Sequence, residues 1–443
     1  MISLTRLQGK IETQSARIGV VGLGYVGLAV ACKFAEVGFT VLGLELRSER
    51  VDLINAGILP IQGKEPGLAE LLRHVTTHKR LTASADPNTL QEADIILIAV
   101  ETPIDSDSKL PGYEALISAL TTVGRVIKPG TLIIVESTLA PGTMAKIVRP
   151  VLEEASGLSV NQDIFLGHCP ERVMPGKLLR NLSSMSRVCG GGSTETSQVM
   201  VCLYRNIVEA DLDPTDWITA EMVKTTENAY RDVQIAFANE IALICETVGA
   251  DVWRVRELVN KSEGRAMHLP GAGVGGHCIP KDPWLLVYSA HGNGCAPRLI
   301  PAARHLNDAM PLHMADLIRD ALAEIGRQIH GSRIAILGYA YLENSDDTRN
   351  SPSQRLIDHL QQMGAQVIVH DPYVAEFQGN IPVVVRGADA LVIMVRHDPY
   401  LKLNLASLKP VLNYAVLVDG RRVFEPDQVR QAGFIFRGIG RSE

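Results

Sequence analysis

A glycine-rich turn follows the first apolar run of the chain. Gly22, Gly24 and Gly27 form the pattern GxGxxG directly after the run 17–22, and a helical pattern continues from there. The three glycines permit a tight turn, a close approach of the backbone to a pyrophosphate and close helix–strand packing. Glu45 ends the second apolar run, where a carboxylate accepts hydrogen bonds from the adenosine ribose and repels a 2′-phosphate. The pattern predicts that the chain binds a dinucleotide, NAD rather than NADP.

Two arginines follow this acid, and the sequence leaves two interpretations of them open. Arg47 and Arg50 are close enough to Glu45 along the chain to contact a cofactor phosphate. They could equally lie in a solvated loop, which is an ordinary place for arginine. The composition of the segment does not separate these alternatives.

A cysteine lies in a segment whose composition favours sharp turns. Cys278 is part of the sequence GGHCIPKDP, residues 275–283. A buried structural cysteine is the commoner role of this residue type. Here, however, glycines precede the thiol, and His277, Lys281 and Asp282 stand close enough in sequence to stabilise or use a thiolate. This segment, residues 275–283, is called the cysteine loop below, and its composition favours nucleophilic catalysis by Cys278.

A further set of polar residues lies on one long helical pattern. Lys224 and Asn228 are four residues apart and share a helix face, with Glu221 one turn earlier. Their polar neighbours indicate that one side of the helix lines a wet cleft; these are Thr225, Thr226, Arg231, Asp232, Gln234 and Asn239. Spacing alone does not assign catalysis to them, because a lysine on a helix is most often solvated.

The elements that must position these residues alternate between strands and helices. In the first half, apolar or β-branched runs occur at residues 17–22, 40–45, 94–100 and 131–136. The stretches between them are long enough for crossover helices, as repeated βαβ units require. This pattern predicts a doubly wound parallel sheet.

The pattern then changes to one uninterrupted helix before strands return. Residues 213–216 supply helix-start chemistry, and no glycine or proline follows until Gly249, so we expect a helix of about 50 Å that links domains or forms a dimer interface. Strand-like runs return at 334–338, 366–370, 390–395 and 415–419. The first of these leads into Gly338 without a GxGxxG pattern, which argues against a second dinucleotide site.

Length, composition and charge exclude several other classes of protein. The 443 residues are 46% hydrophobic and 21% charged, with a net charge of −6, which fits a globular protein of about three domains and no nucleic-acid partner. Seven cysteines, an odd number without a CxxC pair, indicate no metal site and fit the reducing cytoplasm. No run reaches about 18 uninterrupted apolar residues, and the N-terminus lacks a signal-peptide pattern, so we expect neither a membrane span nor export.

Five segments together resemble the UDP-glucose/GDP-mannose dehydrogenase family, in the same order along nearly the whole chain. They are GLGYVG (22–27), EST (136–138), CPERVMPG (169–176), the helical segment 224–240 and GGHCIPKDP (275–283). The resemblance implies an α/β protein with two Rossmann-like doubly wound domains, joined by a central long helix and a helical dimerisation domain. The implied boundaries are 1–212 for the NAD-binding domain, 213–315 for the central domain and 316–443 for the UDP-sugar-binding domain. A homodimer through the central helix is implied as well.

The activity implied is an NAD-dependent four-electron oxidation of a sugar C6 hydroxyl to a uronic acid, for polysaccharide biosynthesis. By resemblance, Cys278 is the nucleophile that forms a thiohemiacetal and then a thioester, and Lys224 stabilises oxyanions. Asn228 is its hydrogen-bonding companion, Asp282 works with an ordered water, and Glu171 and Thr138 serve thioester hydrolysis. Without the family, Glu171 would be interpreted as a residue of a loop turn.

The resemblance also implies which residues bind the cofactor and the substrate. The cofactor set is Gly22, Gly24, Tyr25, Val26, Gly27, Glu45, Arg50, Thr102, Thr138 and Arg349. The substrate set is Glu171, Arg172, Val173, Lys224, Asn228, Arg231, Arg265, Gly275, His277 and Arg421. The chain departs from many relatives at Leu342, where they have a lysine.

Several alternatives remain open on the substrate and the reaction. The segments 169–176 and 224–240 with His277 look most like the branch that uses UDP-N-acetylmannosamine, whereas the N-acetylglucosamine, N-acetylgalactosamine and glucose substrates are alternatives. A two-electron hydroxyacid dehydrogenase shares the Rossmann and long-helix plan, but the cysteine loop and the second α/β domain argue against it. A non-catalytic NAD-binding protein is a further alternative, which requires that Cys278 be inert.

Overall fold

The computed structural model describes residues 4–61, 63, 65–173 and 176–441. These residues divide into two compact units, each described by itself below. Unit 1 contains residues up to Glu227 together with 284–296, and unit 2 contains 228–283 and 297 onward. Met174 and Pro175, which belong to the CPERVMPG segment, lie outside the described residues. No helix in the described ranges is long and apolar enough to cross a membrane.

Within the described part of unit 1, eight strands form one sheet in the order β3-β2-β1-β4-β5-β6-β7-β8. The strands are β1 (Arg17–Val21), β2 (Thr40–Leu44), β3 (Leu81–Ser84), β4 (Ile95–Ile98), β5 (Leu132–Val135), β6 (Phe165–His168), β7 (Arg187–Gly191) and β8 (Leu212–Asp216). Neighbours run parallel, except that β6 and β7 pair antiparallel. The strand order reverses between β1 and β4, and in such sheets this switch point forms the ligand crevice.

The helices of unit 1 cover both faces of this sheet, and β4 and β5 are buried along their whole lengths. Fully buried, continuously apolar strands are expected at the centre of a parallel sheet. The helices are α1 (Leu4–Glu12), α2 (Tyr25–Glu36), α3 (Ser48–Asn55), α4 (Leu68–Thr77), α5 (Glu114–Gly124), α6 (Arg149–Ser156), α7 (Leu178–Ser184) and α8 (Thr194–Tyr204). Short helical turns add Pro87–Glu92 and Met144–Val148.

The long helix α9 runs from Trp217 to Val248, and the division between the units falls within it. The expected long helix is confirmed, but residues 213–216, which supplied its helix-start signal, form the strand β8 together with Leu212. β8 is the edge strand, where Pro214 removes no ladder hydrogen bond that the sheet needs. Asp216 nevertheless caps the helix, since its carboxylate accepts the backbone N–H of Thr219 at 2.9 Å.

Three further helices follow α9 along the chain, and unit 2 has a smaller parallel sheet. The helices are α10 (Val252–Val259), α11 (Asp282–His291, which continues into unit 1 after Pro283) and α12 (Leu299–Ala323). The described strands follow the order β10-β9-β11-β12-β13: β9 (Arg333–Leu337), β10 (Gln366–His370), β11 (Ala390–Ile393), β12 (Val416–Asp419) and β13 (Ile435–Gly438). The connecting helices are α13 (Pro352–Gln362), α14 (Ile381–Val384), α15 (Asp398–Leu401), α16 (Leu405–Leu408) and α17 (Pro426–Gln431), with short turns at Ala375–Phe377 and Lys409–Val411.

The α/β fold class with two parallel-rich sheets is confirmed. Each of the eight apolar runs singled out in the sequence overlaps a strand. The runs missed β3, β6, β7, β8 and β13, whose sequences include polar residues or glycine, for example RVCGG in β7.

Candidate active site

The glycine-rich turn joins β1 to α2 at the switch point of the first sheet. Gly22 has a φ of +87°, and its N–H donates to the carbonyl of Leu44 at 2.9 Å. A Cβ at Gly27 would lie 2.0 Å from the carbonyl oxygen of Gly22, whereas a Cβ at Gly24 would meet nothing within 4 Å. The fold itself therefore requires two of the glycines, while Gly24 borders open space that a pyrophosphate could fill. Tyr25 and Val26 are half-buried and pack against the core of unit 1.

Glu45 follows β2, and its carboxylate lies beside two arginines. The backbone N–H of Arg47 donates to Glu45 Oε1 at 3.1 Å, and Arg50 Nε is 3.5 Å from Oε2. Arg50 also donates from Nη2 to the carbonyl of Leu23 at 2.8 Å, so its side chain lies against the glycine-rich turn and not in a solvated loop. Arg47 is exposed. The residues at this turn fit NAD, because the open space at Gly24 and the ribose-binding acid occur together.

Two threonines in the predicted cofactor set are brought together beyond the ends of β4 and β5. Thr102 donates from its hydroxyl to the carbonyl oxygen of Thr138 at 2.7 Å. Ser137, in the same loop as Thr138, donates to the carbonyl of Val100 at 2.6 Å. Carboxyl ends of neighbouring parallel strands meet at one edge, which is why residues far apart in sequence are paired here.

Glu171 is half-buried in the loop after β6, and its Oε1 atom is removed from solvent. Burial raises the pKa of Glu171 to about 7, against the charges of Lys224 and Arg187, which lower it. Its Oε1 has no hydrogen-bond partner among the described residues. Lys224 is itself buried on α9. A carboxyl group with a pKa near 7 can take up and release a proton at neutral pH, as a general base must.

A buried charged cluster of Glu136, Arg187 and Tyr204 lies next to the Glu171 loop, and the sequence analysis did not identify it. Arg187 Nη1 lies 3.4 Å from Glu136 Oε1, and the Tyr204 hydroxyl donates to the same oxygen at 2.6 Å. Burial raises the pKa of Glu136, and the charge of Arg187 opposes that shift. The backbone N–H of Glu171 donates to the carbonyl of Glu136 at 3.3 Å, so the cluster also holds the loop. The one available signal was an arginine at the start of an otherwise apolar strand.

Three other residues of unit 1 make structural contacts. Glu221 accepts the backbone N–H groups of Gly142 and Met144, each at 2.7 Å, and burial raises its pKa to about 7. Arg172 donates to the Ser186 carbonyl at 3.1 Å and pairs through Nε with a glutamate of α9, Glu227, at 3.1 Å. Val173 is half-buried against the core.

In unit 2 the cysteine loop joins three predicted catalytic residues. Asp282, which is fully buried, accepts a hydrogen bond from Asn228 Nδ2 at 2.5 Å. Its other carboxylate oxygen is 2.8 Å from Lys281 Nζ. The backbone N–H groups of Lys281 and Asp282 donate to the carbonyl of Cys278 at 3.1 and 2.9 Å, so the loop turns directly into α11. Asn228 and Lys281 thus hold the carboxylate one turn after an exposed Cys278.

The other side of the loop packs against the segment that follows β9. A Cβ at Gly275 would lie 2.5 Å from Tyr341 Cβ, and one at Gly276 would lie 2.8 Å from the Tyr341 ring. The N–H of Gly276 donates to the carbonyl of Arg349 at 2.9 Å. The pKa of Arg349 is raised, first by its hydrogen bond to Asp347 and further by Tyr341 and Cys278. The glycines therefore allow Cys278 to approach Arg349 and Tyr341 closely.

The remaining predicted substrate residues of unit 2 differ in their surroundings. Arg421 donates from Nε to the Met394 carbonyl at 2.9 Å and from Nη2 to the Gly273 carbonyl at 3.1 Å, so it connects the residues just before the cysteine loop to the residue that follows β11. His277, Arg231 and Arg265 are exposed. Leu342, where many relatives have a lysine, is 37% exposed.

Comparison with known proteins gives matches along the whole chain. Three sequence models of the UDP-glucose/GDP-mannose dehydrogenase family match: the NAD-binding domain at residues 16–208, the central domain at 218–309 and the UDP-binding domain at 335–426. A UDP-N-acetyl-D-mannosamine dehydrogenase from Pyrococcus horikoshii is 39% identical over 427 residues, which cover 96% of this chain and all of that protein.

Solved structures show the same similarity. A UDP-D-ManNAc dehydrogenase structure from Pyrococcus horikoshii matches with a TM-score of 0.90 at 38% identity, covering 96% of this chain and 99% of that one. A UDP-glucose dehydrogenase from Pyrobaculum islandicum matches with a TM-score of 0.84 at 27% identity, covering 96% and 98%. The resemblance stated from the five sequence segments is confirmed.

Proposed function

Because the chain belongs to the UDP-glucose/GDP-mannose dehydrogenase family, we propose that it oxidises the C6 hydroxyl of a UDP-N-acetylhexosamine, UDP-N-acetyl-D-mannosamine in particular, to the uronic acid. The observation that carries the proposal is the cysteine loop, in which Cys278 is exposed one turn before a buried Asp282 held by Asn228. NAD is the cofactor, and Gly24, Glu45, Arg50, Thr102 and Thr138 would hold it. When bound, it supplies the acceptor for the hydride in each oxidation.

The first oxidation requires a charge acceptor for the alkoxide that develops at C6. Lys224 supplies a positive charge from a buried position on α9, where water screens it little. Asn228 donates to Asp282, so the orientation of its amide is fixed. We propose that Lys224 and Asn228 stabilise this oxyanion. Asp282 binds the ordered water that accepts the proton of the C6 hydroxyl.

The second oxidation uses covalent chemistry at Cys278. Its thiolate adds to the aldehyde carbon and forms the oxyanion of a thiohemiacetal, which becomes a thioester when C6 gives up its hydride. Water then attacks the thioester carbonyl, Glu171 takes one proton of that water, and the C–S bond breaks to release the acid and the thiolate. Thr138 helps to hold the water. A group of pKa about 7 suits this role better than an ordinary glutamate, which is a weaker base.

The choice among UDP-sugars rests on segments 169–176 and 224–240, on His277 and on the similarity to UDP-N-acetyl-D-mannosamine dehydrogenases. We assign Arg172, Val173, Arg231, Arg265, Gly275, His277 and Arg421 to substrate binding and Arg349 to the cofactor. UDP-N-acetylglucosamine, its galactose epimer and UDP-glucose are the alternatives. The product would serve polysaccharide biosynthesis, and the cysteine usage supports a cytoplasmic location.

We also propose a homodimer and a three-domain organisation with boundaries after residues 212 and 315. Tyr230, Phe237 and Ile244 recur every seven residues on α9 and are 62%, 54% and 48% exposed. An exposed apolar stripe of this period fits against the same helix of a second copy. The three separate matches to domain models support the domain organisation.

A panel of UDP-sugars assayed for NADH formation tests the proposed substrate. We expect the highest kcat/KM with UDP-N-acetylmannosamine, two NADH per sugar, and poor use of UDP-glucose. A kcat/KM for UDP-glucose equal to that of every N-acetylated sugar would overturn the substrate. A stoichiometry of one NADH per sugar would instead support a two-electron dehydrogenase.

Two variants test the chemistry. Cys278→Ala should abolish acid formation and leave NAD binding largely intact, and uronic acid made at near wild-type rate would contradict the covalent route. Glu171→Gln should trap the thioester, detected as a mass increase on the peptide that contains Cys278. In the wild-type enzyme, hydrolysis should rise with pH through about 7, because only the ionised carboxylate accepts a proton.

A further inference from the structure

A buried carboxylate of unit 1 contacts two segments that the sequence analysis treated separately. Glu65 precedes α4 and is 9% exposed. Its Oε1 accepts the hydroxyl of Tyr25 and the backbone N–H of Gly176, the latter at 2.6 Å. Its Oε2 accepts the backbone N–H of Leu178 at 3.0 Å. The one carboxylate therefore holds the glycine-rich turn and the loop after β6 together.

Tyr25 belongs to the turn that would hold the dinucleotide. It follows Gly24, the glycine that borders open space, and it is the first residue of α2. A pyrophosphate at this turn is bound by the backbone N–H groups of the same helix start. A dinucleotide bound at this turn would therefore contact the helix start that contains Tyr25, the residue whose hydroxyl donates to Glu65.

The other two donors to Glu65 follow Glu171 along the chain: Gly176 lies in the loop after β6, and Leu178 is the first residue of α7. That loop is held near its beginning by the hydrogen bond from the Glu171 N–H to the Glu136 carbonyl, and farther along by Glu65 at Gly176 and Leu178. Gly176 has a φ of +77°, a conformation that glycine adopts without strain. Because Glu65 is nearly excluded from water, it depends on these three donors, and loss of one changes its hold on the others.

We propose that Glu65 is a positioning residue that links the dinucleotide turn to residues 176–178 after β6, so that NAD bound at the turn orders the backbone of these residues through Tyr25. The assignment rests on the proposed function only for its consequence, which is that the base for thioester hydrolysis is in place when the cofactor is bound. The link itself concerns NAD binding and the backbone of residues 176–178.

Hydrogen–deuterium exchange on the full chain, with and without saturating NAD, tests the link directly. In the wild-type protein NAD should slow exchange of the Gly176 and Leu178 amides by about tenfold. In Tyr25→Phe, which removes only the hydroxyl, this slowing should fall below about twofold relative to the exchange of the same variant without NAD. A contact that served stability alone would change exchange equally with and without NAD.

The matched control is Tyr113→Phe, which removes another buried tyrosine hydroxyl of unit 1, one that contacts Thr143 and the Ala140 N–H. It should keep the full NAD-dependent slowing. If Tyr25→Phe and Glu65→Gln both weaken NAD binding while Tyr113→Phe does not, the link is supported, because coupling between two sites is reciprocal. Equal slowing in Tyr25→Phe and wild type, or no slowing in wild type, would overturn it.

A kinetic measurement separates this inference from the proposed function. During turnover at saturating NAD, Glu65→Gln should accumulate the thioester on Cys278 about tenfold above wild type, because the base is misplaced and hydrolysis slows more than the oxidations. If Glu171→Gln shows no adduct at all, the proposed chemistry fails, and the exchange result still decides whether Glu65 links the two segments.

Discussion

The turn after β1 and the turn after β9 begin alike and then use their acidic residues in opposite ways. Gly22 and Gly338 both have positive φ, +87° and +99°, and both donate their N–H to the last residue of the neighbouring strand, at 2.9 and 2.8 Å. In each unit an acid follows that neighbouring strand, Glu45 after β2 and Asp371 after β10. The two units therefore share one strand–turn–helix framework.

The difference lies in where each carboxylate finds its donors. Asp371 accepts hydrogen bonds from the backbone N–H groups of Tyr339 and Ala340, which follow Gly338 in the turn after β9, at 2.7 and 2.9 Å. It is fully buried and also accepts His397 Nε2 at 3.1 Å. Glu45 makes no such bond to the first turn in the described residues; its partners are Arg47 and Arg50.

This difference explains how one framework serves two purposes. At the first turn the helix start faces open space at Gly24, so its N–H groups are available to a phosphate. At the second turn the carboxylate of Asp371 accepts hydrogen bonds from the backbone N–H groups that would otherwise be available to a phosphate. The second turn consequently needs no GxGxxG pattern, and its longer loop is free to pack Tyr341 and Arg349 against the cysteine loop.

The largest expected effect comes from removing the carboxylate of the second turn. Asp371→Ala leaves several buried N–H groups and His397 without their acceptor, so we expect a loss of about 4 kcal/mol in the free energy of unfolding of unit 2. Glu45→Ala, at the corresponding position, should cost less than about 1 kcal/mol. Urea unfolding monitored by hydrogen exchange measures both losses. Peptides from β9 and β10 report the effect of Asp371→Ala, and peptides from β1 and β2 report the effect of Glu45→Ala. Equal losses would remove the distinction between the two turns.

A matched pair of glycine substitutions tests the first turn. Gly27→Ala forces a Cβ to within 2.0 Å of the Gly22 carbonyl oxygen. The overpacking should lower the unfolding free energy of unit 1 by about 3 kcal/mol. Gly24→Ala should change stability by less than about 0.5 kcal/mol, yet weaken NAD binding at least tenfold, as measured by titration calorimetry. Unchanged NAD affinity in Gly24→Ala would show that the open space is not the phosphate site.

The pH dependence of unit 2 sharpens the comparison. Burial acts to raise the pKa of Asp371, but His397 and the backbone N–H groups of Ala340 and Tyr373 outweigh it and lower the pKa to about 2 from the ordinary 3.8. The unfolded chain therefore binds this proton first, and about 2 kcal/mol of stability, present above pH 3.8, is lost as the pH falls towards 2. Unfolding of the β9 and β10 region between pH 5 and 2.5 should show this loss in wild type, and Asp371→Asn should lack that component. The same slope in both proteins would contradict the assignment.

The smallest expected effect concerns Glu45, the half-buried acid beside the first turn. Glu45→Gln keeps the size of the side chain and removes the charge that repels a 2′-phosphate, so the ratio of kcat/KM for NAD over NADP should fall about tenfold. Glu49→Gln, an exposed acid in the first turn of α3, is the control and should leave the ratio unchanged. Comparable turnover with NADP in the wild-type enzyme would mean that Glu45 does not select the cofactor.

The amino-acid sequence by itself determined the features that depend on local pattern. Strand runs such as 95–98 are continuous and apolar, and the three glycines of the first turn stand at fixed offsets, so both were predictable from neighbours along the chain. The family and its NAD cofactor followed from segments of this kind. Edge strand β8 was missed because Asp and Pro are uncommon in strands and typical of a helix start.

Only the tertiary structure decided which buried carboxylates meet which donors. Glu65 binds Gly176 and Leu178 more than a hundred residues away, and Asp371 takes the amides of a turn about thirty residues earlier. Neither set of partners can be predicted from the local composition. An acid before a helix or after a strand has the same sequence neighbours whether it is solvated or accepts hydrogen bonds from distant N–H groups. Burial makes that difference, since a carboxylate removed from water must find donors wherever the packed chain supplies them.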